Sequence, residues 1–347
     1  MLGIEDQVVR TTTVGGDPVA YSAVGEGPPV LIGGWWCSHL ELNWQDPLFR
    51  EFFSRLAGRH TVIRYDSPGT GASGPDGSLP RSVDEEVAVV AGVVDALGLD
   101  RFALIGASTG GATAVAYATT HGPQVSRLVL YGAFARGADI ASDSARTAML
   151  EVIAGHWGLG SRLLADVFLP GATTQERDGF ARFQRQSATA ERAAQWLAAA
   201  YAVDVTDRLV RVRVPTCAIH RRNDRAVPFA LGADMARRIR GSAFVPLDGV
   251  DHFPWRGDAT EVADAMLRGL GHRIASKPLV AGPEAVTERE REILAFVALG
   301  LTDAQIAQRL TISPHTVHRH VANARTKLGV RSRAAAAAAL TRRPTST

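Results

Sequence analysis

The feature that most constrains this chain is an alternation. Through roughly its first 270 residues, short runs rich in Val, Ile and Leu are separated by helical stretches. PPVLIGG (28–34), HTVIRYD (60–66), RFALIGAS (101–108), VSRLVLYGAF (125–134), VPTCAIH (214–220) and SAFVPLD (242–248) read as buried strands bounded by Gly, Pro or Asp. Val83–Leu99, Gly110–His121 and Pro228–Ile239 carry helical patterns between several of them. Strands joined through helices need right-handed crossovers, so the pattern predicts an α/β fold with a mostly parallel sheet. Val8–Val24, turning at GGDP (15–18), reads as an antiparallel hairpin ahead of it. The segment 137–210 has no convincing strand but several helical stretches with Trp157, Phe168, Phe180, Phe183 and Trp196, and it reads as a helical lid over the sheet's carboxyl edge.

One strand end carries chemistry. Gly106-Ala107-Ser108-Thr109-Gly110 follows the run RFALI and leads into the small-residue helix GATAVAYA. This is G-x-S-x-G in a strand–turn–helix setting. A nucleophile on so sharp a turn needs very small neighbours on both sides, and the helix N-terminus behind it favours negative charge. A serine needs a base and an acid, in the chain order Ser, acid, His. Of His121, His156, His220, His252 and His272, only His252 follows a late strand, in GVDHFPW. Asp224, in HRRNDRAVP, follows the preceding strand and is the expected acid, with Asp251 and Asp248 as competitors. An oxyanion hole needs two backbone N–H donors. Thr109 is one; Trp35, after Leu31-Ile32-Gly33-Gly34, is the other, with Trp36 as second choice. Trp35, Trp36 and Trp44 could wall an apolar ligand or serve as ordinary core.

On these motifs, residues 8–272 resemble the α/β-hydrolase superfamily, and YDSPGTGASG (65–74) is similar to its D-x-R-G-x-G-x-S turn with Pro68 in place of Arg. Gly34-Trp35 with Ser38-His39-Leu40-Glu41-Leu42 resembles hydrolase domains fused to bacterial regulators, and Trp36 and His39 are expected at the ligand pocket. Gly33 stands where related esterases often carry a His. The resemblance implies the α/β-hydrolase fold over 1–274, a Ser108–Asp224–His252 triad, and an ester, lactone or similar acyl compound as ligand or substrate.

The C-terminal part differs in charge. From Val286 onward ten Lys/Arg face four Asp/Glu, a net of +6, whereas the preceding residues hold 28 against 31, a net of −3. From Ser313 there are seven basic residues, three histidines and no carboxylate, which points to a polyanionic partner. Ile293, Leu294, Phe296, Val297 and Leu299 form a helical stripe closed by Gly300; Thr302 can cap Asp303–Leu310; Ser313-Pro314 opens a third helix. Two helices joined by a short turn, the second basic, make a helix-turn-helix. T-x-R-E at Thr287–Glu290, GLT at 300–302, Ile306-Ala307, Ile312-Ser313, Thr316-Val317, His320, Asn323 and Lys327-Leu328-Gly329-Val330 strongly resemble the LuxR-type (GerE-like) DNA-binding domain. That resemblance implies a small all-α domain over 284–347 after a linker at 275–283. It also implies a third helix in the major groove of double-stranded DNA, and a fourth helix, Ser332–Leu340, pairing a homodimer. Arg319 is then expected to read a base edge and His318 to be a weaker reader, with Thr316, Arg325 and Lys327 on phosphates and His320 facing the backbone.

Composition narrows the rest. Charged residues are 21% and hydrophobic residues 46%, an ordinary globular balance that excludes a mainly disordered chain. Cys37 and Cys217 are too few for a disulfide scaffold and lack zinc-site spacing, so neither metal nor cofactor is expected. Glu5 and Asp6 with no apolar stretch beside them argue against a secretory signal, and Val87–Leu99 is too short to span a bilayer. A cytoplasmic, membrane-free regulator with a small-molecule ligand is the expectation.

Overall fold

The computed structural model describes residues 7–274, 286–330 and 332–341, without the side chains of residues 315, 319, 326, 340 and 341. The chain forms two compact units, Met1–Arg273 and Ile274–Thr347. The expected linker at 275–283 lies outside the described residues.

The first unit is built on eight strands: β1 (Val8–Val14), β2 (Asp17–Val24), β3 (Pro29–Gly33), β4 (Thr61–Tyr65), β5 (Phe102–Ala107), β6 (Val125–Tyr131), β7 (Thr216–Arg221) and β8 (Ala243–Leu247). Their order is β1-β2-β4-β3-β5-β6-β7-β8. β1 pairs antiparallel with β2, and β2 with β4; all other neighbours are parallel. The central strands are buried on both faces, which is why β5 reads as an unbroken apolar run. Val90, Val93, Leu104, Val115, Tyr117 and Leu128 form part of the main core.

Helices Pro47–Ala57 and Ala259–Gly269 also cover the sheet, and neither was among the helical patterns read from the sequence. The first opens with Asp46 capping Leu48 N–H and Pro47 in the first turn, the same Asp/Ser-Pro device as Ser313-Pro314. Between β6 and β7 the chain runs through helices Asp143–Gly155, Trp157–Phe168, Thr174–Ser187, Ala190–Ala202 and Thr206–Leu209, with only an isolated Arg136–Asp204 bridge.

The second unit has helices Glu288–Ala298, Asp303–Leu310, Pro314–Leu328 and Arg333–Thr341 around Ile293, Leu294, Ile306, Val317, Val321, Ala324 and Ala336. Thr287 with Glu290 and Thr302 with Gln305 form capping boxes. Gly300, at φ +80°, supplies the left-handed turn after the first helix.

Candidate functional site

Ser108 sits between β5 and helix Gly110–Thr120 with φ +55°, a left-handed conformation rare for a residue with a side chain. Its N–H donates to Tyr131 O at 2.9 Å, tying the turn to β6. The small neighbours have steric causes. A Cβ at Gly106 would lie 2.6 Å from the Ala114 Cβ, and one at Gly110 would lie 2.3 Å from Gly33 O.

Asp224 follows β7 and His252 follows β8. The His252 Nδ1 and Asp224 Oδ2 are 2.7 Å apart, both residues buried. The other carboxylate oxygen accepts the Ala226 and Val227 N–H groups at 2.9 and 3.1 Å. Burial pushes the Asp224 carboxyl up, but the charge and hydrogen bond of His252, with lesser help from His220 and Val227, hold it below the ordinary carboxylate value. An ionised Asp224 requires the proton on Nδ1, which leaves Nε2 as the free base. The imidazole lies against the backbone of Gly132, where a Cβ would come within 3.1 Å of Cε1. Gly132 follows Tyr131, the partner of the Ser108 N–H, so the imidazole lies against the end of β6, the strand beside the one that carries Ser108. Among the described residues, no hydrogen bond joins the Ser108 hydroxyl to the imidazole.

The competitors for the acid are occupied elsewhere. Asp251 accepts Gly171 N–H at 2.8 Å, and Asp248 is exposed beside Arg222 at 3.8 Å. His220 is fully buried; its Nε2 bonds Val227 O at 2.9 Å and lies 3.7 Å from Asp224. Burial pulls that imidazole below its ordinary value.

The Gly33-Gly34 turn packs on Gly110, with Gly34 at φ +73°. This sets the start of the Trp35 segment beside the serine turn, and neither the Trp35 nor the Thr109 amide donates to another described group. Gly33 has a local reason: the Tyr65 ring lies where a side chain would begin, its Cε1 2.3 Å from the position a Cβ would take. The Asp66 carboxylate braces the following segment, accepting Leu40 and Ala72 N–H at 2.8 Å each.

Of the two readings open for the tryptophans, pocket wall and ordinary core, core holds for two. The Trp35 ring packs on Phe49, Phe53 and Trp255, and Trp44 on Phe49 beside Arg64, so both are core because their backbone turns them under the sheet's covering helices. Trp36 alone faces the helical segment. It packs on Phe168 and Trp196 and donates from Nε1 to Gln184 Oε1 at 2.9 Å. His39, expected at the pocket, caps helix Leu40–Gln45 through Nδ1, at 3.4 Å from Leu42 N. Sequence reasoning missed Gln184, a fully buried amide whose Nε2 also donates to Ser161 O at 2.8 Å. It missed Phe168 as a partner of the site as well, whose carbonyl accepts the His252 N–H at 2.8 Å. A polar residue on an amphipathic helix carries no local mark of burial. A groove of about 910 Å³ lies along Leu79, Val89 and helix Ala190–Ala202, and its lining includes none of Ser108, Asp224 and His252.

In the second unit, Ser313 Oγ accepts Thr316 N–H at 3.0 Å and bonds the Thr316 hydroxyl at 2.8 Å. His318 is exposed, with Nδ1 3.6 Å from Asp303. His320 and Arg325 are half-buried. Arg319 lies in the third helix, its side chain outside the described residues. Lys327, expected at a phosphate, has its ammonium 2.6 Å from the buried Glu290 carboxylate and so joins the first and third helices. Burial pushes Glu290 up, but the Lys327 hydrogen bond and the Thr287 N–H and hydroxyl bring it below its ordinary value.

With this geometry in place, comparison with known proteins defines the class. The model of the alpha/beta hydrolase family matches residues 30–265, and that of bacterial regulatory proteins of the luxR family matches 284–340. The chain belongs to the α/β-hydrolase family and carries a C-terminal LuxR-type DNA-binding domain. Over 239 residues it is 28% identical to the pyrrolizixenacetamide deacetylase of Xenorhabdus hominickii, covering 67% of this chain and 88% of that protein. Over 55 residues it is 53% identical to the probable transcriptional regulatory protein SgaR of Hyphomicrobium methylovorum, covering 16% of this chain and 26% of SgaR. The enol-lactonase of Burkholderia xenovorans shares the hydrolase fold, with a TM-score of 0.63 at 24% identity over 76% of this chain and all of that one.

Proposed function

We propose that the chain is a one-component DNA-binding transcription regulator that works in the cytoplasm. Its hydrolase unit binds a small acyl effector, such as an ester or lactone, and hydrolyses it through Ser108, Asp224 and His252. Its C-terminal unit binds double-stranded DNA as a homodimer. The observation that carries this reading is the buried Asp224–His252 pair, at 2.7 Å, behind a left-handed Ser108 in a chain that also bears a LuxR-type domain.

The chemistry follows from the geometry. Ser108 Oγ attacks the acyl carbon while His252 Nε2 takes its proton; Asp224 stays ionised and holds Nδ1–H. The Trp35 and Thr109 N–H groups donate to the developing oxyanion, each worth about 3 kcal/mol in the transition state. The imidazolium returns the proton to the leaving oxygen as the C–O bond breaks. Water, deprotonated by the same imidazole, then frees the acid and restores Ser108. Turnover removes the effector, so the DNA response resets itself.

The likeness to the Xenorhabdus deacetylase, matched over 88% of that protein, favours one other reading: a working carboxylic-ester hydrolase whose DNA-binding domain dimerises or localises it. The test is labelling of the full chain with a fluorophosphonate, located by peptide mass spectrometry, together with DNA affinity before and after labelling. Rapid labelling at Ser108, lost in His252→Ala and accompanied by altered DNA affinity, supports the regulator. Labelling that leaves DNA affinity untouched favours the enzyme. No labelling in protein that binds DNA overturns the hydrolytic step.

A further inference from the structure

Arg221, the last residue of β7, is 1% exposed and makes no salt bridge among the described residues. A guanidinium stays charged in proteins, and with Glu261 acting on it only through charge at longer range, burying it is costly unless its donors are satisfied. Here they are satisfied by one loop. Nη1 donates to Asp251 O at 2.7 Å and to Phe253 O at 2.9 Å, and Nη2 donates to Arg256 O. The first two of these carbonyls bracket His252 on both sides.

The loop closes tightly around this side chain. Gly249, at φ +138°, has its Cβ direction 2.8 Å from Arg221 Cδ, so no other residue fits there without displacing the stem. The His252 N–H is held by Phe168 O at 2.8 Å. The peptide carrying the imidazole is thus fixed at its own N–H and at both flanking carbonyls. Arg221 also lies three residues before Asp224, whose N–H donates to Arg221 O at 3.3 Å. One strand exit therefore supplies the carboxylate and grips the loop that supplies the imidazole.

We propose that Arg221 is the positioning residue of this site, locking the His252 loop to the strand exit that carries Asp224 so that the two side chains keep their register. The inference rests on His252 as the base of the proposed reaction, but its test requires no turnover. An imidazole Nδ1–H bound to a buried carboxylate gives a proton resonance well downfield of the amides. In the full-length protein with labelled histidine, this signal is assigned to His252 by its loss in His252→Ala. In Arg221→Met the signal should broaden or move toward the amide region, and in Arg221→Lys, whose single ammonium cannot span the three carbonyls, it should shift partway. Ser108 labelling should slow by roughly a hundredfold in Arg221→Met, the scale of a misplaced catalytic group. An unchanged resonance in the folded variants overturns the proposal, as does a wild-type protein lacking it. Loss of the hydrolase fold in both variants overturns it too, because Arg221 would then serve the fold and not the site. A resonance that responds as expected in a protein whose Ser108 is never labelled leaves the positioning role standing and refutes the hydrolytic step alone.

Discussion

At Ser108 the backbone holds φ +55°, which costs on the order of 1 kcal/mol for a residue with a Cβ. Ser108→Gly should therefore be more stable than Ser108→Ala by about 1 kcal/mol in denaturant unfolding, while both lose fluorophosphonate labelling. Equal stability would show that the turn is unstrained. The Glu290–Lys327 pair makes a second residue-scale case. Removing one partner of a buried ion pair is strongly destabilising, and the partial exposure of Lys327 moderates the effect, so Lys327→Met should cost about 2 kcal/mol. Glu290→Gln in the same chain should recover part of that loss. The pair also has a pH signature. Because the folded Glu290 carboxyl lies below its ordinary value of 4.5, its contribution is fully present above that value and is lost as pH falls through the lower, folded one. Protection factors in the helices Glu288–Ala298 and Pro314–Leu328, taken relative to the intrinsic exchange rate at each pH, should fall in acid, and Glu290→Gln should flatten that response.

The elements meet at their ends, and the ends are where the sequence was most legible. The strand-to-helix turn at Ser108 demands glycines by contact: Gly110→Ala would drive a methyl into Gly33 O. The expected outcome is a loss of about 1–3 kcal/mol from overpacking, together with slowed Ser108 labelling as the Gly33-Gly34 turn shifts. Labelling at the wild-type rate would show that this turn does not shape the oxyanion site. Ser313 caps the third helix through Thr316 N–H, so Ser313→Ala should cost about 1 kcal/mol, measured as faster exchange in that helix's first turn. Strand runs, caps and the elbow are local patterns, written in neighbouring residues, and were readable as such. The pairing of Lys327 with Glu290, the burial of Gln184 and the enclosure of Arg221 were not. Each joins residues far apart in sequence, and a charged or amide side chain looks the same locally whether water or a carbonyl will meet it. The tryptophans stayed undecided for a related reason: Trp35, Trp36 and Trp44, close together in the chain, announce burial without saying on which side of the backbone.

Across the whole molecule, charge separates the two units. The excess of ten basic over four acidic residues from Val286 onward should give DNA binding a steep salt dependence. Arg319→Ala should relax sequence preference, at about 1–3 kcal/mol on a specific site. Lys327→Met, with its ammonium already paired with Glu290, should leave the salt slope unchanged in the fraction that folds; a slope reduced by about one would show it to be a phosphate contact. The two classes of domain were legible because each is specified by short-range order: short apolar runs, period-3.6 apolar patterns, caps and a strained turn. Residue order alone set Ser108, Asp224 and His252 after β5, β7 and β8, since chain order and crossover handedness leave few other placements. Only the tertiary structure decided which carboxylate meets the imidazole, which tryptophan faces the helical segment and what holds the His252 loop, because those outcomes depend on distances between segments that the chain brings together only when the sheet has formed.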